Sequence, residues 1–172
     1  GCSAEVTDYI SIMGKAKILA KGVEKMGGLP LAGDISWNTE EQIEAIKKAK
    51  PTVLLGSASR IYRITQQARQ ASNLTEIGVK IVIITSEYLP TGMRLNMEHH
   101  WNAKVYHHYG MTETGLTAAI ECQAHNGFHF DEANYLFEIV NPATGEVLTE
   151  GEEGEIVVTT LSRKGMPLIR YR

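Results

Sequence analysis

The run Tyr106-His107-His108-Tyr109-Gly110-Met111-Thr112-Glu113-Thr114-Gly115 places an aromatic ring, a glycine, a hydroxyl and a carboxylate close together. Each has a chemical use. Tyr109 offers a flat face on which a heterocyclic base can stack, and Gly110 lets a ligand come close to the backbone. Thr112 supplies a hydroxyl donor sized for a phosphate oxygen. Glu113 is a hard oxygen ligand of the kind that holds Mg²⁺ bridged to phosphates. The set suits positioning and charge neutralisation, and it contains no obvious general base.

Such groups are useful when a rigid element presents them, and the flanking sequence supplies one. Residues 103–108 read as a strand, which puts the run at a carboxyl edge, where open α/β sheets take their ligands. Upstream, helical and strand patterns alternate. Ile18, Leu19, Val23 and Met26 recur at helical spacing over 13–26, with Gly27-Gly28 as a stop. Residues 29–32 read as a short strand. Asn38 with Glu41, or Thr39 with Gln42, fits a capping box for a helix that buries Ile43, Ile46 and Ala49 and ends at Pro51. Residues 52–56 form a buried strand. Residues 57–71 form a helix with Ile61, Ile64, Ala68 and Ala71 on one side and Ser57 as its N-cap. The run 80–85, almost wholly β-branched and apolar, is a strand covered on both faces. Pro90-Thr91-Gly92 opens a further helix to about residue 100. The alternation predicts a mostly parallel sheet with packed helices and right-handed crossovers.

Beyond Gly115 the helical period vanishes. Residues 116–121, 128–130, 135–140, 155–160 and 167–171 are short strand candidates, separated by turns at Asn126-Gly127, Asn141-Pro142-Ala143-Thr144-Gly145 and Gly151-Glu152-Glu153-Gly154. The expected fold is therefore an α/β subdomain over 1–110 followed by an antiparallel β meander or partial barrel over 111–172. The acidic stretch 146–155 reads as a solvated hairpin tip.

His107 and His108, adjacent on a strand, point to opposite faces and cannot share one ligand. His99 and His100 fall near a helix end, where they favour the dipole. Cys122 and His129, either side of Asn126-Gly127, are zinc-compatible donors that a hairpin could bring across from each other, though fewer than zinc takes. A free cysteine and a hairpin histidine is the simpler reading.

Composition bounds the rest. With 172 residues, 43% of them hydrophobic, the chain can bury about 70% of its unfolded surface without covalent staples. A formal charge of -3 lacks the footprint of a nucleic-acid or anionic-membrane binder. The most apolar run, 80–85, is far shorter than the roughly 20 residues that cross a bilayer, and the start carries no secretory n-region. Two cysteines, Cys2 and Cys122, suit a reducing compartment. The expectation is a cytoplasmic protein with neither nucleic acid nor membrane as partner. A homo-oligomer stays open.

Tyr109-Gly110-Met111-Thr112-Glu113 resembles the Tyr-Gly-x-Thr-Glu signature of the adenylate-forming superfamily of acyl-CoA synthetases, peptide-synthetase adenylation domains and luciferases. Gly154-Glu155-Ile156-Val157-Val158-Thr159-Thr160-Leu161 resembles the Gly-Glu-(Ile/Leu) strand that follows it there. Gly165-Met166-Pro167-Leu168-Ile169-Arg170-Tyr171-Arg172 is similar to the Met-Pro-hydrophobic-hydrophobic-Arg-Tyr-Arg run of the phenylacetate-CoA ligase branch. Thr85-Ser86-Glu87-Tyr88-Leu89-Pro90 falls where that branch lines its adenine pocket. The likeness is loose from about residue 15 and strong from about residue 80.

The resemblance implies an ATP-dependent carboxylate–CoA ligase. A small carboxylic acid, aromatic in the phenylacetate branch, would attack the α-phosphorus of ATP, and CoA would turn the acyl-adenylate into a thioester and AMP. Ser86, Glu87, Tyr88, Tyr109, Gly110, Met111 and Thr112 would bind the nucleotide, the first three mainly through backbone groups. Tyr109 would pack on adenine. Thr112, on the α-phosphate, and Glu113, helping to bind Mg²⁺, would be the catalytic pair. A relative in that branch adenylates a deazaflavin cofactor and makes no thioester. The superfamily's Ser/Thr/Gly-rich phosphate loop with its Lys has no match here, Gly56-Ser57-Ala58-Ser59-Arg60 being the nearest approach. The ribose-binding Asp would fall beyond Arg172, and the C-terminal lid has no counterpart. The chain is thus expected to be an internal piece that acts with the rest of its own chain and is inactive alone. A Cys-x-Cys pair that the branch carries shortly after that point would complete a zinc site with Cys122. The rival readings are a non-catalytic adenine-nucleotide-binding module and a small zinc-binding structural domain around Cys122 and His129.

Overall fold

The computed structural model describes residues 8–11, 17–32, 36–115 and 117–172. The chain divides into two compact units, Gly1–His108 and Tyr109–Arg172. In the first, strands β1 (Asp8–Ser11), β2 (Leu29–Ala32), β3 (Val53–Ser57), β4 (Ile81–Thr85) and β5 (Lys104–Tyr109) run parallel in the order β2-β1-β3-β4-β5. Helices α1 (Lys17–Lys25), α2 (Thr39–Ala49), α3 (Ala58–Ala68) and α4 (Thr91–Trp101) intervene in sequence. The direction of winding reverses between β1 and β3, the arrangement that opens a crevice at the carboxyl edge of such sheets.

Strand alternation sorts the side chains into two layers. Leu54, Val82, Ile84 and Val105 join Ile43, Ile46, Ile61, Ile64, Met97 and Trp101 from α2, α3 and α4 in one cluster. Val53, Leu55, Ile81 and Ile83 turn the other way, onto Leu19 and Val23 of α1. Both faces of β4 are therefore covered, as its apolar run predicts. Within the larger cluster, Trp101 Nε1 donates to Thr65 Oγ1 at 2.8 Å, and the same hydroxyl donates to the Ile61 carbonyl at 2.8 Å. One buried hydroxyl thus satisfies the indole and itself.

The helix starts differ in kind. At α2, Asn38 Oδ1 accepts from Glu41 N at 2.9 Å and Glu41 Oε2 accepts from Asn38 N at 2.8 Å, the capping box expected. At α3, Ser57 holds the N-cap position with extended backbone, but its side chain makes no cap bond to the helix. The carboxylate of Glu87 does the work, accepting from Ser59 N at 2.7 Å and Ser59 Oγ at 2.9 Å. A carboxylate there meets both the unpaired amide and the positive end of the helix dipole. These contacts hold the Glu87 carboxyl below its ordinary range, the Ser59 N–H foremost, against the opposing effect of desolvation.

Other expectations are corrected. Met26 lies past the end of α1 and is exposed, and α3 stops at Ala68, leaving Ala71 exposed. Strand β1 was not anticipated. Residues 13–16, the side chain of Ile18, residue 116 and Cys2 lie outside the described residues. Among the described residues no helix is long and apolar enough to cross a membrane.

In the second unit, β6 (Ala119–Glu121) pairs antiparallel with β7 (Phe128–Phe130), and β8 (Tyr135–Val140) with β9 (Glu155–Thr160). Asn141 Oδ1 accepts from Ala143 N at 2.8 Å and Thr144 N at 3.3 Å, the Asx turn that ends β8. Glu146, Glu150, Glu152 and Glu153 are exposed. Residues 167–171 make a single bridge, Tyr171 to Val158, in place of the expected strand.

Two outcomes are expected in urea denaturation. Trp101→Phe removes the indole donor and opens a small void, costing about 1 to 3 kcal/mol. Glu87→Ala costs about 1 kcal/mol near neutral pH, the usual worth of a helix cap. Because the folded carboxyl titrates below its ordinary 4.5, that advantage is present above this pH and fades as pH falls through the folded value.

Candidate functional site

After β5 the chain makes a tight turn. Thr112–Thr114 form a single 3₁₀ turn, closed by Gly115 at φ +78°. Thr114 N donates to the Met111 carbonyl and Gly115 N to that of Thr112, each at 3.1 Å. The buried Thr114 hydroxyl accepts from Met111 N at 3.2 Å and donates to Met111 O at 3.1 Å. Arg163 Nη1 donates to the Glu113 carbonyl at 2.6 Å, and the Tyr135 hydroxyl donates to the Thr114 carbonyl. The carbonyls of Met111, Thr112, Glu113 and Thr114 are thus all occupied. Gly115 is required twice over: for its left-handed backbone, and because a Cβ there would stand 1.8 Å from Arg163 Nη2.

The side chains on this closed frame are open. The Thr112 hydroxyl is exposed and the Glu113 carboxylate half-buried, and among the described residues neither has a hydrogen-bond or ion-pair partner. Tyr109 packs its ring against Phe128 at 6.4 Å. A free hydroxyl beside a free carboxylate, on a turn that cannot relax to satisfy them internally, suits a phosphate oxygen and a hard divalent cation. The donor set fits Mg²⁺ through Glu113.

Residues 86–88 belong to the first unit and follow β4. Ser86 is left-handed at φ +67°, and Tyr88 is 80% exposed. The Glu87 side chain is committed to α3, while its carbonyl accepts from His107 Nε2 at 2.9 Å. His108 Nδ1 lies 2.9 Å from Thr85 Oγ1. Burial, then the neighbouring His107 charge, lowers the His108 imidazole below its ordinary value. Both β5 histidines therefore brace β4 and the turn that follows it.

The expected residues fall into two local sets, residues 86–88 in one unit and 109–113 in the other. Cys122 and His129 are not direct cross-strand partners. Hairpin register places His129 opposite Ile120 and Phe128 opposite Glu121, so Cys122 falls in the connecting loop, its Sγ 3.4 Å from Ala124 N. Among the described residues no group of three or more His, Cys, Asp or Glu is placed to hold a metal. The junction 56–60 is no phosphate cradle either, since Glu87 already occupies Ser59 N. Sequence reasoning missed Arg163 and Tyr135, which support the turn from far along the chain. Nothing local distinguishes an arginine in a Ser-Arg-Lys-Gly loop from any solvated cation.

Residues 30–162 match the AMP-binding enzyme family. Phenylacetate-coenzyme A ligase of Aromatoleum evansii is 35% identical over 156 residues, covering 88% of this chain and 35% of that protein. The Thermus thermophilus enzyme of the same name is 30% identical, covering 87% and 34%. The chain thus spans about a third of the length of these relatives. Its fold is similar to that of 2-hydroxyisobutyryl-CoA ligase, solved in an open conformation with 2-HIB-AMP and CoA. That match has a TM-score of 0.85 at 20% identity and covers 96% of this chain and 39% of that one. A benzoate CoA ligase from Burkholderia xenovorans LB400 gives a TM-score of 0.72 at 15% identity, covering 98% and 35%. On the match across residues 30–162, the chain belongs to the AMP-binding enzyme family.

Proposed function

We propose that the protein carrying this sequence is a cytoplasmic, ATP-dependent acid–CoA ligase acting on a small, aromatic carboxylic acid. One observation carries the reading. In a chain of the AMP-binding family, Thr112 and Glu113 stand without protein partners on a turn whose carbonyls are all bonded. The names of the relatives in Aromatoleum evansii and Thermus thermophilus support the acid class.

On this reading Tyr109 stacks on adenine, while Gly110 and Met111 let the nucleotide approach the backbone. The turn 86–88 offers backbone groups alone as ligands, its Glu87 side chain being engaged on α3. The Thr112 hydroxyl donates to an α-phosphate oxygen. Glu113 would hold Mg²⁺, which when bound would neutralise charge on the phosphates. The acid's carboxylate attacks the α-phosphorus and pyrophosphate leaves. The CoA thiolate then attacks the acyl carbon and AMP departs. The first step is governed by alignment and charge, which accounts for a site built of a hydroxyl, a carboxylate and an aromatic platform.

The test is ATP–pyrophosphate exchange by the complete protein with phenylacetate and related acids. Acid-dependent exchange is expected, and Glu113→Gln should lower it by about 100-fold with urea unfolding unchanged. AMP binding without exchange for any acid would reassign the protein as a non-catalytic nucleotide-binding module. Stoichiometric zinc without nucleotide affinity would make it a structural domain.

A further inference from the structure

We propose that Arg163 is a positioning residue for Thr112 and Glu113: it locks the backbone of the turn that carries them and, by binding a carbonyl, leaves the Glu113 carboxylate free for a cation. This rests on the reading given under Proposed function. The geometry is local to the second unit. Arg163 Nη1 reaches the Glu113 carbonyl at 2.6 Å across 50 positions of sequence. Its guanidinium fills the space beside Gly115, where a Cβ would stand 1.8 Å from Nη2 and 2.9 Å from Cζ. Fixing the Glu113 carbonyl fixes the peptide plane after it, and with that plane the direction in which the Glu113 side chain leaves the turn.

The choice of acceptor is the informative feature. A guanidinium close to a carboxylate ordinarily takes it in a bidentate pair, because the fork matches the two oxygens. Here it binds the carbonyl of the same residue, and among the described residues Arg163 and Glu113 form no ion pair. A carboxylate neutralised by arginine would be a poor cation ligand; one left free beside a braced backbone is a preorganised one. The Tyr135 hydroxyl holds the next carbonyl, so the two clamps fix successive peptide planes.

The test uses the complete protein with Arg163→Met, which keeps bulk but removes charge and donors, and Arg163→Lys, which keeps a single-point donor. Hydrogen exchange of residues 110–115, read without nucleotide, should quicken about tenfold or more in Arg163→Met, as lost bracing lets the turn open. In ATP–pyrophosphate exchange, kcat should fall by about 10- to 100-fold, the scale of a slight misplacement of catalytic groups. The Mg²⁺ concentration for half-maximal rate should rise, the KM for the acid should hold, and Arg163→Lys should recover part of the loss. Wild-type exchange protection and wild-type Mg²⁺ dependence in Arg163→Met would overturn the proposal. If Arg163→Met fails to fold, Gly115→Ala, which displaces the guanidinium from the other side, must raise the Mg²⁺ requirement; an unchanged requirement overturns the proposal. Absence of exchange in the wild type with every acid would remove the ligase reading, while the hydrogen-exchange arm would still decide whether Arg163 holds the turn.

Discussion

The carboxyl ends of β3, β4 and β5 meet in the two ends of one residue. The Glu87 side chain supplies the acceptor that the first turn of α3 lacks, and the Glu87 carbonyl accepts a hydrogen bond from His107 Nε2 on β5. Glu87 itself follows β4, so its position ties the β3–α3 junction to the two strands beside it. Helix N-termini after strands are natural anion sites, and this one is filled from within the protein. A phosphate brought to the junction 56–60 would meet a resident carboxylate and be repelled.

The turn at 111–115 follows the opposite principle. Among the described residues no buried side-chain nitrogen or oxygen is left unpaired. In the turn, the backbone obeys that rule and the outward side chains do not. The hydrogen bonds from Thr114, Arg163 and Tyr135 hold the backbone of the turn. The arrangement separates the groups that hold from the groups that act.

This separation also explains what could be read from the chain. The capping box of α2 is legible because Asn38 and Glu41 are three positions apart, and β7, β8 and β9 are legible because turn residues bracket alternating runs. Residues 109–113 stand out by type and spacing alone. The cap of α3 was not legible, since its acceptor comes from 28 positions away and a plausible serine sits where a cap belongs. Strand β1 is four residues, Asp-Tyr-Ile-Ser, too short a run to stand out in the sequence, and it pairs in parallel with β2 on one side and β3 on the other. The hairpin after residue 118 was legible as a hairpin, but its register was not: a six-residue connection sets His129 opposite Ile120. In each case the unreadable part is a partner chosen by the tertiary structure.

A last consequence follows from the contact between His107 and the Glu87 carbonyl. A carbonyl oxygen has no hydrogen to give, so the imidazole nitrogen facing it must carry one in every protonation state that preserves the contact. The folded protein thereby selects a single tautomer. In the neutral ring the hydrogen therefore sits on Nε2, and Nδ1 carries the lone pair.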